Sequence, residues 1–184
     1  MDITQDFYNN MASQYDKLFH DWQSTIHEQA VILNRIFNDN GFDTTAQILD
    51  CACGIGTQSI GLASLGYQVS ASDISAGEIS EARERAKKNG VNIRFELADF
   101  RALADKYSEQ FDVVIAMDNA LPHMLSNKDL EAAIKSMTGQ TKPNGIIVAS
   151  IRDYDSLLVE KPAYSPPYIH KTGQGQRVSF QTWV

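Results

Sequence analysis

From Ser24 onward, Ile26, Ala30, Leu33 and Phe37 recur at spacings of four, three and four, which lays them along one side of a helix ending near Asn40-Gly41. The rhythm then changes. Residues 46–53 (Ala-Gln-Ile-Leu-Asp-Cys-Ala-Cys) predict a buried strand, Thr57 to Leu65 predicts a helix closed by Gly66, and Tyr67 to Ser72 predicts a second strand, together one βαβ unit. Ser75 followed three residues later by Glu78 is a capping-box pattern, and the helix it opens carries Ile79, Ala82 and Ala86 inward before stopping at Asn89-Gly90. Further strands are expected at Ile93 to Ala98, at Phe111 to Ala116 and, after the turn Lys142-Pro143-Asn144-Gly145, at Ile146 to Ile151. A helix from Lys128 to Thr141 lies between the last two, with Leu130, Ala133, Ile134 and Met137 on one face. Such alternation of helix and strand predicts an α/β fold, a doubly wound and mostly parallel sheet.

The pattern breaks beyond Asp155. Pro162, Pro166, Pro167, Gly173 and Gly175 mark a stretch read as an irregular loop, long enough to serve as a lid. In residues 177–184, Val178, Phe180 and Thr182 alternate with Ser179, Gln181 and Trp183 as in a strand. No closing turn follows, so the expectation is a truncated strand, or an apolar edge completed by another chain, including a second copy. The chain thus reads as one domain, 1–184, with N-terminal cap helices in 1–40, a core in 41–154, the Pro/Gly-rich loop in 155–176 and the terminal strand.

With 16 Lys and Arg against 23 Asp and Glu, the 184-residue chain carries a formal net charge of −7, which argues against nucleic acid or an anionic membrane surface as partner. Its apolar runs fall far short of the roughly 20 residues a spanning helix needs, and the acidic start Met1-Asp2-Ile3-Thr4-Gln5-Asp6 lacks the features of a secretory signal. A cytoplasmic location is the expectation. Cys51 and Cys53 have no further cysteine with which to build a metal site or disulfide framework, and read as small core residues.

Candidate chemistry concentrates in Ile48-Leu49-Asp50-Cys51-Ala52-Cys53-Gly54-Ile55-Gly56-Thr57, a strand running into a glycine turn and a helix N-terminus. Gly54 and Gly56 let backbone N–H groups approach a ligand closely, and Asp73 at the end of the next strand is spaced to accept both hydroxyls of a ribose. A dinucleotide fingerprint would have a third glycine where this chain has Ser59, so a nicotinamide-dependent oxidoreductase ranks second to another adenosine cofactor.

Leu-Asp-Cys-Ala-Cys-Gly-Ile-Gly-Thr followed by Ser-Ala-Ser-Asp resembles motif I and the second-strand acid of class I S-adenosylmethionine-dependent methyltransferases, and the resemblance spans roughly residues 7–184. It implies a Rossmann-like sheet in order 3-2-1-4-5-7-6, with S-adenosyl-L-methionine across the carboxyl ends of the strands. By the same resemblance Gly54 and Gly56 line the methionine part, Asp73 the ribose hydroxyls, and Asp99 and Phe100 the adenine; Asp50, Ile74 and Met117 count among the cofactor-binding residues, and Tyr15 and Trp22 belong to a cap closing over the sulfonium, with Trp22 also reading as a plain packing residue.

Met117-Asp118-Asn119-Ala120-Leu121-Pro122-His123 lacks the [D/N]-P-P-[Y/F] box of enzymes that methylate nucleobases or protein amides. It is more similar to glycine/sarcosine N-methyltransferases, which carry an Asn and a His at this spacing and an Arg-Asn-Tyr-Asp sequence after the fifth strand, here Arg152-Asp153-Tyr154-Asp155. That implies a small amino-acid acceptor, with Arg152 on its carboxylate, Asn119 orienting it, and His123 as general base or cofactor wall. Arg152 could equally pair with Asp118, Asp153 or Asp155, and Asn119 could be a turn residue before Pro122. Small-molecule O- or C-methylation, and a non-catalytic cofactor-binding subunit, stay open beside N-methylation.

Overall fold

A computed structural model describes residues 3–172 and 175–182. The chain begins with α1 (Ile3–Met11) and a 3₁₀ segment (Ala12–Leu18), followed by α2 (Trp22–Asp39). α2 starts two residues earlier than its apolar rhythm predicts because Asp21 caps it, accepting from the N–H groups of Gln23 and Ser24. Then come β1 (Gln47–Asp50), α3 (Thr57–Ser64), β2 (Gln68–Asp73), α4 (Ala76–Lys88), β3 (Arg94–Leu97), β4 (Phe111–Ala116), α5 (Asn127–Gly139) and β5 (Thr141–Ala149). The five strands pair in parallel in the order β3-β2-β1-β4-β5.

Alternation along each strand divides the core. Ile48, Val69, Val113 and Ile115 face one way, onto Leu33 and Phe37 of α2 and Leu62 of α3. Ala71 and Phe95 extend the same side onto Ile79 and Ala82 of α4. Leu49, Val114 and Ala116 face the other way, onto Leu103, Tyr107 and Met137 of α5. Burial on both faces fits the buried strand read over 46–53, of which β1 itself spans Gln47–Asp50 with Ile48, Leu49 and Asp50 buried. Because the order reverses on either side of β1, a crevice opens at the carboxyl ends of β1 and β4.

Three expectations need correction. The turn at 142–145 lies inside β5: Phe111 pairs with Thr141 but Val113 with Ile146, so the extra residues bulge out, with Asn144 at φ 67°. The loop expected over 155–176 contains α6 (Tyr154–Glu160), capped by Asp153 accepting from Ser156 N–H, and β6 (Tyr168–Thr172). The last strand is β7 (Gly175–Ser179), and it is no lone edge, since it pairs antiparallel with β6 in a separate two-stranded sheet rather than joining the main one. Its polar side turns inward, with Arg177 and Ser179 donating to the carbonyls of Phe19 and Lys17, while Val178 and Phe180 are 53% and 56% exposed. Trp183 and Val184, part of the expected strand, lie outside the described residues.

Candidate functional site

A cavity of about 410 Å³ occupies the crevice, within the range of small-molecule sites. Its floor is the loop after β1. Cys51 and Cys53 still donate N–H bonds to Ile115 and Ser72 on the flanking strands, so the chain stays pinned until Gly54, where φ turns to 51° and exposes the backbone to the cavity. Gly54 N–H donates to Asp73 Oδ2 at 2.9 Å, and Ser75 N–H donates to Asp73 Oδ1 at 2.9 Å. Asp73 is thereby locked in place with both oxygens at the cavity edge, each keeping a lone pair for a ligand hydroxyl.

Other expected residues stand at the same opening. Ile74 lines it and is held from above, its carbonyl accepting from Gln5 of α1 at 2.8 Å. Asp99, Phe100 and Met117 line the adjoining wall, and Tyr15 closes the cap side. His123 also lines it, with Nε2 2.9 Å from the Tyr8 hydroxyl and the two rings edge to face. Burial first, then the nearby acids Glu78 and Asp73, push the Tyr8 phenol up to about 12, so it stays protonated at neutral pH.

The remaining expected residues lie elsewhere. Asp50 is wholly buried behind the glycine loop, where Ser59 Oγ donates to it at 2.6 Å, and burial raises its carboxyl to about 7. Ser59 thus fills the position of a third glycine by tying α3 to β1. Gly56, at φ 89°, is the N-cap of α3; a Cβ there would come within 3.1 Å of Ile60, so its freedom serves the turn rather than ligand contact. Trp22 is outside the cavity wall. Its Nε1 donates to Thr57 at 2.9 Å and the Arg85 guanidinium stacks 4.7 Å from its ring, so it welds α2 to α3 and α4. Asn119, at φ 73°, and Arg152 sit beside the cavity rather than in its wall. Asn119 Nδ2 donates to the Tyr154 hydroxyl at 2.6 Å and its Oδ1 accepts from Arg152 N–H at 3.1 Å, which joins the loop after β4 to the segment after β5.

Several lining residues carry no strong sequence signal. Arg101 grips Asp99 through Nε and Nη2, at 2.9 and 2.6 Å, and reaches Asp129 through Nη1 at 3.1 Å. Gln58 donates to Asp118 at 2.7 Å and also bonds Gln29. Glu78 enters the cavity from α4. Only the Arg101-x₂₇-Asp129 charge pair could have been guessed, and nothing local distinguishes it from a surface pair.

Residues 48–145 match a family described as a methyltransferase domain, which is more than half of the chain. Among curated proteins, the glycine/sarcosine N-methyltransferase of Parasynechococcus marenigrum is 28% identical over 154 residues, covering 84% of this chain and 53% of that protein. A ubiquinone biosynthesis O-methyltransferase of Methylocella silvestris is 33% identical over 104 residues, 56% of this chain and 39% of that protein. The chain spans about half the length of the first of these relatives. Among solved structures, an S-adenosylmethionine-dependent methyltransferase from Clostridium acetobutylicum superposes with a TM-score of 0.68 at 19% identity, over 95% of this chain and 79% of that one, and so shares the fold. The family match falls on β1 through the bulge of β5, the segment that builds both the sheet and the crevice, and the chain belongs to the methyltransferase domain family.

Proposed function

We propose that this protein is an S-adenosyl-L-methionine-dependent methyltransferase acting on a small molecule, and that the acceptor is the nitrogen of a glycine- or sarcosine-like amino acid. The observation that carries the cofactor reading is the pair Gly54 and Asp73, bonded to each other at the carboxyl end of the sheet with carboxylate oxygens facing a cavity of nucleoside size. Tyr8, Tyr15 and Met117 add apolar and aromatic faces suited to a cation. The bound sulfonium supplies an activated methyl group, so the chain's task is to align the acceptor and exclude water. α1 does the latter, anchored over the opening by Gln5 on Ile74 and by Asn9, whose Oδ1 accepts from Ser75 Oγ and Gly77 N–H.

Acceptor choice rests on the relatives named above and on Arg152, which the Asn119 bond to its backbone N–H holds beside the cavity and whose guanidinium chemistry suits a bidentate carboxylate contact. Asn119 takes a different role from the one its spacing implies: with both ends of its amide engaged, it positions the Arg152 backbone. The O-methyltransferase relative keeps a hydroxyl acceptor as the second reading.

Isothermal titration of S-adenosylmethionine and of NAD into the purified chain tests the cofactor, and labelled-methyl transfer to glycine, sarcosine and phenolic acceptors tests the rest. Binding of S-adenosylmethionine alone, with transfer to the amino acids, is expected. Arg152→Ala should raise the acceptor KM by about tenfold to a hundredfold, the loss of one charged contact, and leave cofactor affinity within about twofold. Equal losses in both would end the Arg152 assignment, and transfer to phenols alone would favour the second reading.

A further inference from the structure

The capping-box acid Glu78 has no capping to do. Ser75 Oγ accepts from Glu78 N–H at 3.1 Å, but the reciprocal contact is absent because Asp73 has already taken Ser75 N–H. The Glu78 side chain turns into the cavity instead. The residue is 2% exposed, Oε2 lies 3.0 Å from the point where a Cβ on Gly54 would sit, and Oε1 is buried with no hydrogen-bond partner. An unsatisfied carboxyl oxygen in such a place is costly unless something binds to it.

The titratable groups that face Glu78 are Asp73 from β2, Tyr8 from α1, Tyr15 from the 3₁₀ segment and Cys53 from the loop after β1. All four are acids, so each adds negative charge when it ionises. His123 is turned to Tyr8 and acts on Asp73. Asp73 is held by two backbone N–H groups while Glu78 accepts none, so the pair keeps its charge on Asp73. Burial first, and then Asp73, push the Glu78 carboxyl up to about 8, and in the free protein it holds its proton at neutral pH.

We propose that Glu78 makes the pocket read the charge of its adenosyl ligand: Glu78 gives up its proton to solvent when a cationic sulfonium binds, and keeps it when the neutral thioether product occupies the same place. This rests on the cofactor reading above and goes beyond it. The pocket then holds the charged methyl donor more tightly than the spent product, which hastens product exchange.

The test is the dissociation constant of S-adenosylmethionine and of S-adenosylhomocysteine between pH 6 and 8, for the wild type and Glu78→Gln, with proton release read from titrations in buffers of different ionisation enthalpy. Below the free-protein value of about 8, coupled loss of one proton makes sulfonium affinity rise with pH, approaching tenfold per unit. The wild type should therefore show a ratio of thioether to sulfonium dissociation constants that climbs by up to about tenfold per pH unit, with release of close to one proton for the sulfonium ligand only. In Glu78→Gln the climb and the release should fall to the small remainder left by groups other than Glu78, such as the buried Asp50. The same slope in both proteins, or equal proton release with both ligands, overturns the proposal while leaving the cofactor reading intact. If the variant does not fold, absence of sulfonium-specific proton release in the wild type still overturns the proposal. Failure of both ligands to bind at any pH overturns the cofactor reading and this inference with it.

Discussion

Asp73→Ala should weaken S-adenosylmethionine binding by more than about a hundredfold. A carboxylate placed to accept two hydroxyl bonds contributes roughly 1.5–3 kcal/mol for each, and about 1.4 kcal/mol corresponds to a factor of ten. The substitution also strips Gly54 N–H and Ser75 N–H of their acceptor, so the loop and the start of α4 lose their common anchor. Asp73→Asn keeps one oxygen acceptor and should fall between the two. Calorimetric titration measures the affinities, and a thermal melt separates lost contact from lost fold. An Asp73→Ala protein that melts as the wild type does and binds the cofactor equally well would remove Asp73 from the site.

The second large effect is on stability. Gly61 lies in α3 where it crosses α2, and a Cβ there would come to 2.5 Å from the Ile26 carbonyl oxygen and 2.8 Å from Ala30 Cβ. Backbone cannot yield as a flexible side chain does, so Gly61→Val must push the two helices apart at the centre of the core. Overpacking of that kind costs about 3 kcal/mol, and for a chain of this length lowers Tm by roughly 6–12 °C. Gly139→Ala is the control. It is exposed at the end of α5, a Cβ would meet nothing within 4 Å, and replacement there should be neutral or stabilise by up to about 1 kcal/mol. Chemical denaturation of both variants checks the contrast.

Much of the sheet could be read from the chain because its signals are local: β1, β2 and β4 each carry a short buried stretch between turn signals, and α2, α4 and α5 carry their own side-chain caps and periodic faces. The same locality made Gly54 and Asp73 legible, since they sit at successive strand ends and the βαβ connection alone brings them together. Trp22 reads from the sequence both as a cap residue and as a packing residue, because an aromatic near a cap looks alike whether it faces a cavity or a neighbouring helix, and its contacts with Thr57 and Arg85 decide for packing. Glu78 was hidden for a similar reason. Its capping role depends on whether Ser75 N–H is still available, and a residue on another strand end settles that. In α6 and β6 the prolines and glycines that flank them masked short elements whose ends are fixed by Asp153 and by pairing with β7.

The two cysteines give the molecule a clock. Cys51 and Cys53 are wedged between β2 and β4, with Cys51 Sγ donating to the Ile115 carbonyl at 3.2 Å, and burial raises both thiols well above their ordinary range. Alkylation needs a thiolate that a reagent can reach, and both cysteines line the cavity floor with no more than 3% exposure, so its rate should follow how often the loop after β1 opens. With iodoacetamide in excess, labelling should be slow in the free protein, faster in Gly61→Val, and slower still once ligand fills the crevice, turning two inert side chains into a direct count of openings.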